Sequence, residues 1–212
     1  LTASRIPIFP LPGVVLFPGT LLPLHIFEPR YRAMVAEALK GDRMIGMAMI
    51  DGSRPIHEPV PVLPVGGAGR IVEQETLEDG RFNIILEGAW RFRIVSEEAA
   101  DLYRIASVDL VPVRGFPDAQ AEDAAIRQSR ALFAELHSAM ELPPLPSEPM
   151  SPERLSGELA LRLRWSPDDL QNLLETDSLP ERFETITSRL AGWKESADFL
   201  GPYRAETNPL WN

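Results

Sequence analysis

The 212-residue chain contains two lysines, Lys40 and Lys194, and neither follows a glycine; Leu39 and Trp193 precede them. A phosphate-binding loop needs Gly-Lys-Ser/Thr, so that the lysine reaches the phosphates from a glycine turn, and that motif is missing. No Gly-x-Ser-x-Gly stretch offers a nucleophilic serine on a strained strand-to-helix turn. Cysteine is absent, which removes thiolate catalysis, disulfides and zinc–sulfur sites. His25, His57 and His137 lack the spacing that sets two imidazoles on one helix face, so they read as three unrelated residues rather than metal ligands. Glu73, Glu75, Glu78 and Asp79 cluster as an acid–base pair would, yet a solvated strand end and turn looks the same and is the plainer reading. The expectation is a protein without catalytic residues, cofactor or metal.

What remains is chemistry of contact. Arg91 and Arg93 alternate with Trp90, Phe92 and Ile94, which places both arginines on the outward face of a half-buried strand. There they are either ordinary surface or a contact for an acidic partner. Phe27, Glu28, Arg30 and Tyr31 surround Pro29, where a strand gives way to a helix. Glu28 is placed to accept from the first helical N–H groups and Tyr31 to pack on the sheet. Glu28, Arg30 and Tyr31 are also the expected lining of a cleft between the β-rich and helical parts, a favoured place for ligands. These six residues, Phe27, Glu28, Arg30, Tyr31, Arg91 and Arg93, are the candidate peptide- or partner-binding set.

The elements that position them follow from pattern. Pro18-Gly19 suits a type II turn joining strands Val14–Phe17 and Thr20–Leu24, with Pro23 pointing to a sheet edge or a bulge. Pro29 opens a helix over 29–40, with Tyr31, Met34, Val35, Ala38 and Leu39 on one stripe and Gly41 at its end. Met44–Ile50 reads as a buried strand, 51–64 as a proline-rich loop, and Val65–Gly69 is too glycine-rich to assign. Asp79-Gly80 favours a type I′ hairpin between Gly69–Leu77 and Arg81–Glu87, and Gly88-Ala89 a II′ turn before Trp90–Val95. A strand over 103–113 completes a β-rich domain of residues 1–116.

Helical period then takes over, with Ile126, Leu132, Phe133, Leu136 and Met140 predicting a helix over 120–141. A connector over 142–152 holds five prolines and must be extended, a stiff spacer. Ser151-Pro152, Ser166-Pro167 and Ser178-Leu-Pro-Glu181 are three helix starts, making 117–200 a small bundle, and 201–212 an irregular tail.

Hydrophobic residues at 44% and charged residues at 25% fit an ordinary globular protein. No run approaches the roughly 20 apolar residues that span a bilayer, so no membrane role is expected. The start lacks a basic segment followed by an apolar stretch, and a cytoplasmic home is expected. The net charge of −10 is uneven: residues 1–121 carry 12 basic and 15 acidic side chains, residues 122–200 carry 8 and 15. Such a surface repels phosphate backbones, so nucleic acid is a disfavoured partner.

Three stretches carry a resemblance. Pro7-Ile-Phe-Pro-Leu-Pro-Gly-Val-Val-Leu-Phe-Pro-Gly-Thr20, continued by Leu22-Pro-Leu-His-Ile-Phe-Glu-Pro-Arg-Tyr31, resembles the N-terminal substrate-binding domain of Lon proteases. Gly69-Arg-Ile-Val72 and Leu86-Glu-Gly-Ala-Trp-Arg-Phe92 resemble it too, as does Asp168–Arg182. The resemblance implies an α+β fold, a PUA-like β pseudo-barrel followed by a helical bundle, and involvement in capturing protein substrates; what a stand-alone module of this type binds is not implied by it, and polypeptide segments or a protein partner are the expectation. The Ser–Lys dyad of full Lon enzymes has no home around Lys40 or Lys194. Two other readings stay open: an RNA-binding protein, because PUA-like folds occur in RNA-handling proteins, and a hydrolase using a carboxylate pair.

Overall fold

The computed structural model describes residues 4–55, 59–99 and 102–204, which fall into two compact units. The first comprises Leu1–Val113 with Trp165–Asp177, and the second Arg114–Arg164 with Ser178–Asn212.

The first unit is a six-stranded mixed sheet: β1 (Ser4–Leu11), β2 (Leu21–Ile26), β3 (Met44–Met49), β4 (Val65–Thr76), β5 (Phe82–Ala99) and β6 (Arg104–Val111). Their order is β2-β5-β4-β3-β1-β6, and β5 also pairs with β6, which curls the sheet back on itself into a pseudo-barrel. Helix α1 (Pro29–Ala38) buries Tyr31, Met34, Val35 and Ala38, the stripe its spacing predicts. That stripe packs with Phe9, Leu16, Ile45, Ile71, Ile84 and Leu86. A second cluster gathers Ile6, Ile8, Ala48, Ala68, Phe92 and Val108. Strand β2 pairs with β5 alone among the described strands, the edge position that Pro23 signals.

Several local expectations give way to contacts distant in sequence. Strand β1 carries Pro7 and Pro10 yet lies between β3 and β6, a placement that proline hides from pattern reading. Val14–Phe17 is not a strand. It is a buried extended segment that crosses the sheet and turns at Pro18-Gly19, where Thr20 N donates to Phe17 O at 3.1 Å and Gly19 has φ +77°. The glycines beneath it are there to let it pass: a Cβ on Gly67 would lie 1.9 Å from Leu16 O, and one on Gly88 2.0 Å from Phe17 O. Gly88 is therefore no hairpin turn. It sits inside the single 18-residue strand β5, donating to Thr20 O at 2.9 Å and accepting from Gly19 N at 2.7 Å. The Asp79-Gly80 hairpin forms, but as a three-residue loop in which Gly80 alone has positive φ, with Leu77 N donating to Arg81 O at 2.8 Å. At the end of α1 the left-handed residue is Arg43, at φ 65°, rather than Gly41.

The second unit holds α2 (Ala119–Ala139), α3 (Pro152–Arg162) and α5 (Leu179–Arg204). Asp118 caps α2 and Ser151 caps α3, accepting from Ala121 N at 2.8 Å and Arg154 N at 3.2 Å. Helix α5 runs to Arg204, past the expected end near residue 200, and 205–212 lie outside the described residues. Helix α4 (Pro167–Glu175) begins at its Ser166 cap as predicted, but it joins the first unit instead of the bundle. Its buried Gln171 donates to Val65 O of β4 at 2.9 Å.

A candidate peptide groove on the first unit

Glu28 does not cap α1 with its side chain. Its backbone carbonyl accepts from Tyr31 N and Arg32 N at 3.0 and 2.9 Å, while its carboxylate turns to the Arg30 guanidinium, accepting from Nε at 3.0 Å. Arg30 in turn lies over the Tyr31 ring, 4.6 Å from its centroid, a cation–π contact that fixes both side chains. Tyr31 packs against Phe9 of β1 with ring centroids 4.2 Å apart. The short Glu28-Pro29-Arg30-Tyr31 run thus sets a paired charge above an aromatic wall.

That wall is one side of a groove of about 570 Å³. Ile8, Pro10, Leu11 and Pro12 of β1 and the turn after it contribute apolar surface, as do Ile50, Pro59 and Val60; Leu102 and Tyr103 come from the approach to β6. Five charged side chains line it, Glu28, Arg30, Glu97, Glu98 and Arg104, and each has an ionic partner. Arg104 donates to Glu97 at 2.6 Å and to Val60 O at 2.6 Å, and Glu98 pairs with Arg5. All of the lining belongs to the first unit.

The other candidates are elsewhere. Arg91 does not project outward: it is 1% exposed. Its guanidinium donates to Leu174 O at 2.7 Å, Pro112 O at 2.8 Å, Thr176 O at 3.3 Å and the Asp177 carboxylate at 3.1 Å. Trp90, Phe92 and Ile94 do share the core face, so Arg91 lies on the opposite face as the alternation predicts, but there the end of α4 and the residues after it, Leu174–Asp177, cover it. Arg93 is exposed on β5 and lines no part of the groove. Phe27 is 60% exposed and stacks with His25 at 6.2 Å.

His25 bonds Asn83 Oδ1 at 2.7 Å, His137 donates from Nδ1 to Leu142 O at 2.6 Å, and His57 lies outside the described residues. Among the described residues no group of three His, Cys, Asp or Glu side chains is placed to hold a metal ion. Glu73, Glu75, Glu78 and Asp79 are exposed, and Asp79 closes its turn by accepting from Arg81 N at 3.1 Å. That backbone N–H, with the Arg81 guanidinium beyond it, holds the Asp79 carboxyl below the usual carboxylate range.

Sequence reading missed the far half of the groove. Glu97, Leu102, Tyr103 and Arg104 stand more than 60 residues from Tyr31, and only the β1–β6 pairing brings them alongside Ile8 and Pro10.

Two solved structures share this architecture. The Lon N-terminal domain protein from Xanthomonas campestris superposes with a TM-score of 0.61 at 22% identity, covering 87% of this chain and 98% of that one. The N-terminal domain of the Mycobacterium avium complex Lon protease gives 0.68 at 16% identity, covering 89% and 98%. The fold is therefore the α+β pseudo-barrel of Lon N-terminal domains. The model of the ATP-dependent protease La (LON) substrate-binding domain family matches residues 5–192, and the chain belongs to that family. Similar full-length relatives include the Lon protease of Dictyoglomus thermophilum, 26% identical over 191 residues, and that of Roseiflexus castenholzii, 29% identical over 198. The matches cover 86% and 90% of this chain, which spans about a quarter (24%) of each relative's length. The match is to the substrate-binding domain, and no helix among the described residues is long and apolar enough to cross a membrane.

Proposed function

We propose that this chain is a non-catalytic receptor for extended polypeptide segments and that the groove between α1, β1 and β6 holds them. Membership of the substrate-binding domain family makes recognition the expected role. The observation that carries the reading is the groove itself: a volume of about 570 Å³ with a mostly apolar lining that includes Leu102 and Tyr103, its charges already paired. Apolar anchors in a groove are a general mode of peptide capture.

The test is photo-crosslinking. A photoreactive amino acid at Leu102, which is 61% exposed, is irradiated with a chemically unfolded polypeptide and with the same polypeptide folded. Crosslinks to the unfolded form alone, competed by unlabelled unfolded chain, are expected. Crosslinks to neither, with the protein confirmed folded, remove the proposal.

A further inference from the structure

Three features of the groove restrict its occupant beyond "polypeptide". Strand addition is closed here. Strand β1 is paired to β3 on one side and β6 on the other, and β6 to β1 and β5, so the sheet beneath the groove offers an incoming chain no free edge. A ligand's backbone must then pair its own N–H and C=O groups within a helix, or keep them in water while its side chains make the contact. The polyproline II helix does the latter, with no internal hydrogen bonds and a fully solvated backbone.

The walls suit the same conformation. The half-buried Tyr103 stands among Pro10, Pro12 and Pro59, with Tyr31 buried beneath Arg30, and an aromatic ring in an apolar groove is what proline-rich segments dock against. The charges discriminate as well. The pairs Glu28–Arg30, Glu97–Arg104 and Glu98–Arg5 neutralise the lining, so a charged ligand side chain would lose hydration without gaining a free counter-charge.

We infer that the groove selects uncharged, proline-rich segments of a separate polypeptide in the polyproline II conformation. This rests on the polypeptide-receptor reading above. The chain's own proline-rich connector is not the occupant. Within the second unit Leu142 is buried, Arg162 Nε donates to Pro144 O at 2.6 Å, and Arg154 pairs with Glu148 at 2.7 Å.

The test uses the whole chain and labelled twelve-residue peptides in fluorescence anisotropy: one uncharged with proline at every third position, one with alanine for each proline, and one with glutamate at the spacer positions. The proline peptide is expected to bind about tenfold tighter than the other two. Its affinity should change less than about twofold between low and high salt. Leu102→Asp, at an exposed position, and Tyr103→Ala should each weaken it about tenfold, with circular dichroism confirming the fold. If the alanine peptide binds equally well, the proline selectivity falls and the receptor reading stands; if no peptide binds, both fall. Tighter binding of the glutamate peptide, or a steep salt dependence, overturns the neutral-ligand claim. A concentration-dependent dimer abolished by Leu102→Asp would make the groove a self-interface and overturn the inference.

Discussion

The Arg91 guanidinium donates to the carbonyl of Leu174 at 2.7 Å, joining strand β5 to the last turn of helix α4 across 83 residues of chain. With Pro112 O, Thr176 O and Asp177 as further acceptors, one buried cation gathers four positions of the first unit. Arg91→Met retains much of the side-chain length but takes the donor from three carbonyls, and a loss of about 3 kcal/mol or more is expected in urea unfolding. Asp177→Ala, at a side chain 53% exposed, should cost within about 1 kcal/mol. Equal effects would mean that the ion pair, rather than the carbonyl bonds, is what matters.

Two glycines predict opposite signs. Gly88→Ala puts a methyl 2.0 Å from Phe17 O, backbone against backbone, and should unfold the chain or lower its stability by more than about 3 kcal/mol. Gly192→Ala meets nothing within 4 Å on an exposed turn of α5 and should raise stability by about 0.5–1 kcal/mol. Thermal unfolding of both variants reads the contrast.

Acid should weaken the β4–β5 hairpin through Asp79. Its carboxyl sits below the usual range because the Arg81 backbone N–H, and then the Arg81 side chain, favour the ionised form. A lowered folded-state pKa gives stability that is present above the unfolded carboxylate value and disappears as pH falls through the folded one. Asp79→Asn should therefore be less stable than the parent at neutral pH, with the gap closing toward about pH 2. Urea midpoints across that range decide it, and a constant gap would contradict the ionic origin.

Helix α4 depends on its cap. Ser166 accepts from Asp169 N at 3.1 Å and donates to the Asp169 carboxylate at 2.8 Å. Ser166→Ala should cost about 1 kcal/mol, while Ser166→Asn should restore most of it. Chemical denaturation provides the measurement.

What could be read from sequence was what neighbours in sequence determine. Ser151-Pro152 and Ser166-Pro167 start helices because a cap and a pre-set φ act within four residues, and the Tyr31–Ala38 stripe reports its own buried face. Gly67 and Gly88 misled because their role is to let Leu16 and Phe17 pass, a contact written some 50 to 70 residues upstream. Arg91 misled for a related reason: it lies on the face its alternation predicts, but Leu174–Asp177, more than 80 residues downstream, cover that face. The groove was half legible. Glu28, Arg30 and Tyr31 form a compact run with recognisable chemistry, whereas Tyr103 and Leu102 acquire meaning only once β6 lies beside β1.

The order in which the chain is made adds a delay to its first unit. Strand β5 leaves the ribosome 83 residues before Leu174, an interval of roughly 4–17 s at ordinary rates of synthesis. Throughout that interval the nascent barrel carries a cation for which the carbonyls of α4 do not yet exist, so Arg91 has to wait in water. Closure of the sheet around it is therefore tied to the emergence of a helix encoded beyond α2 and α3, and the β-rich unit reaches its final form only after those two helices have been synthesised.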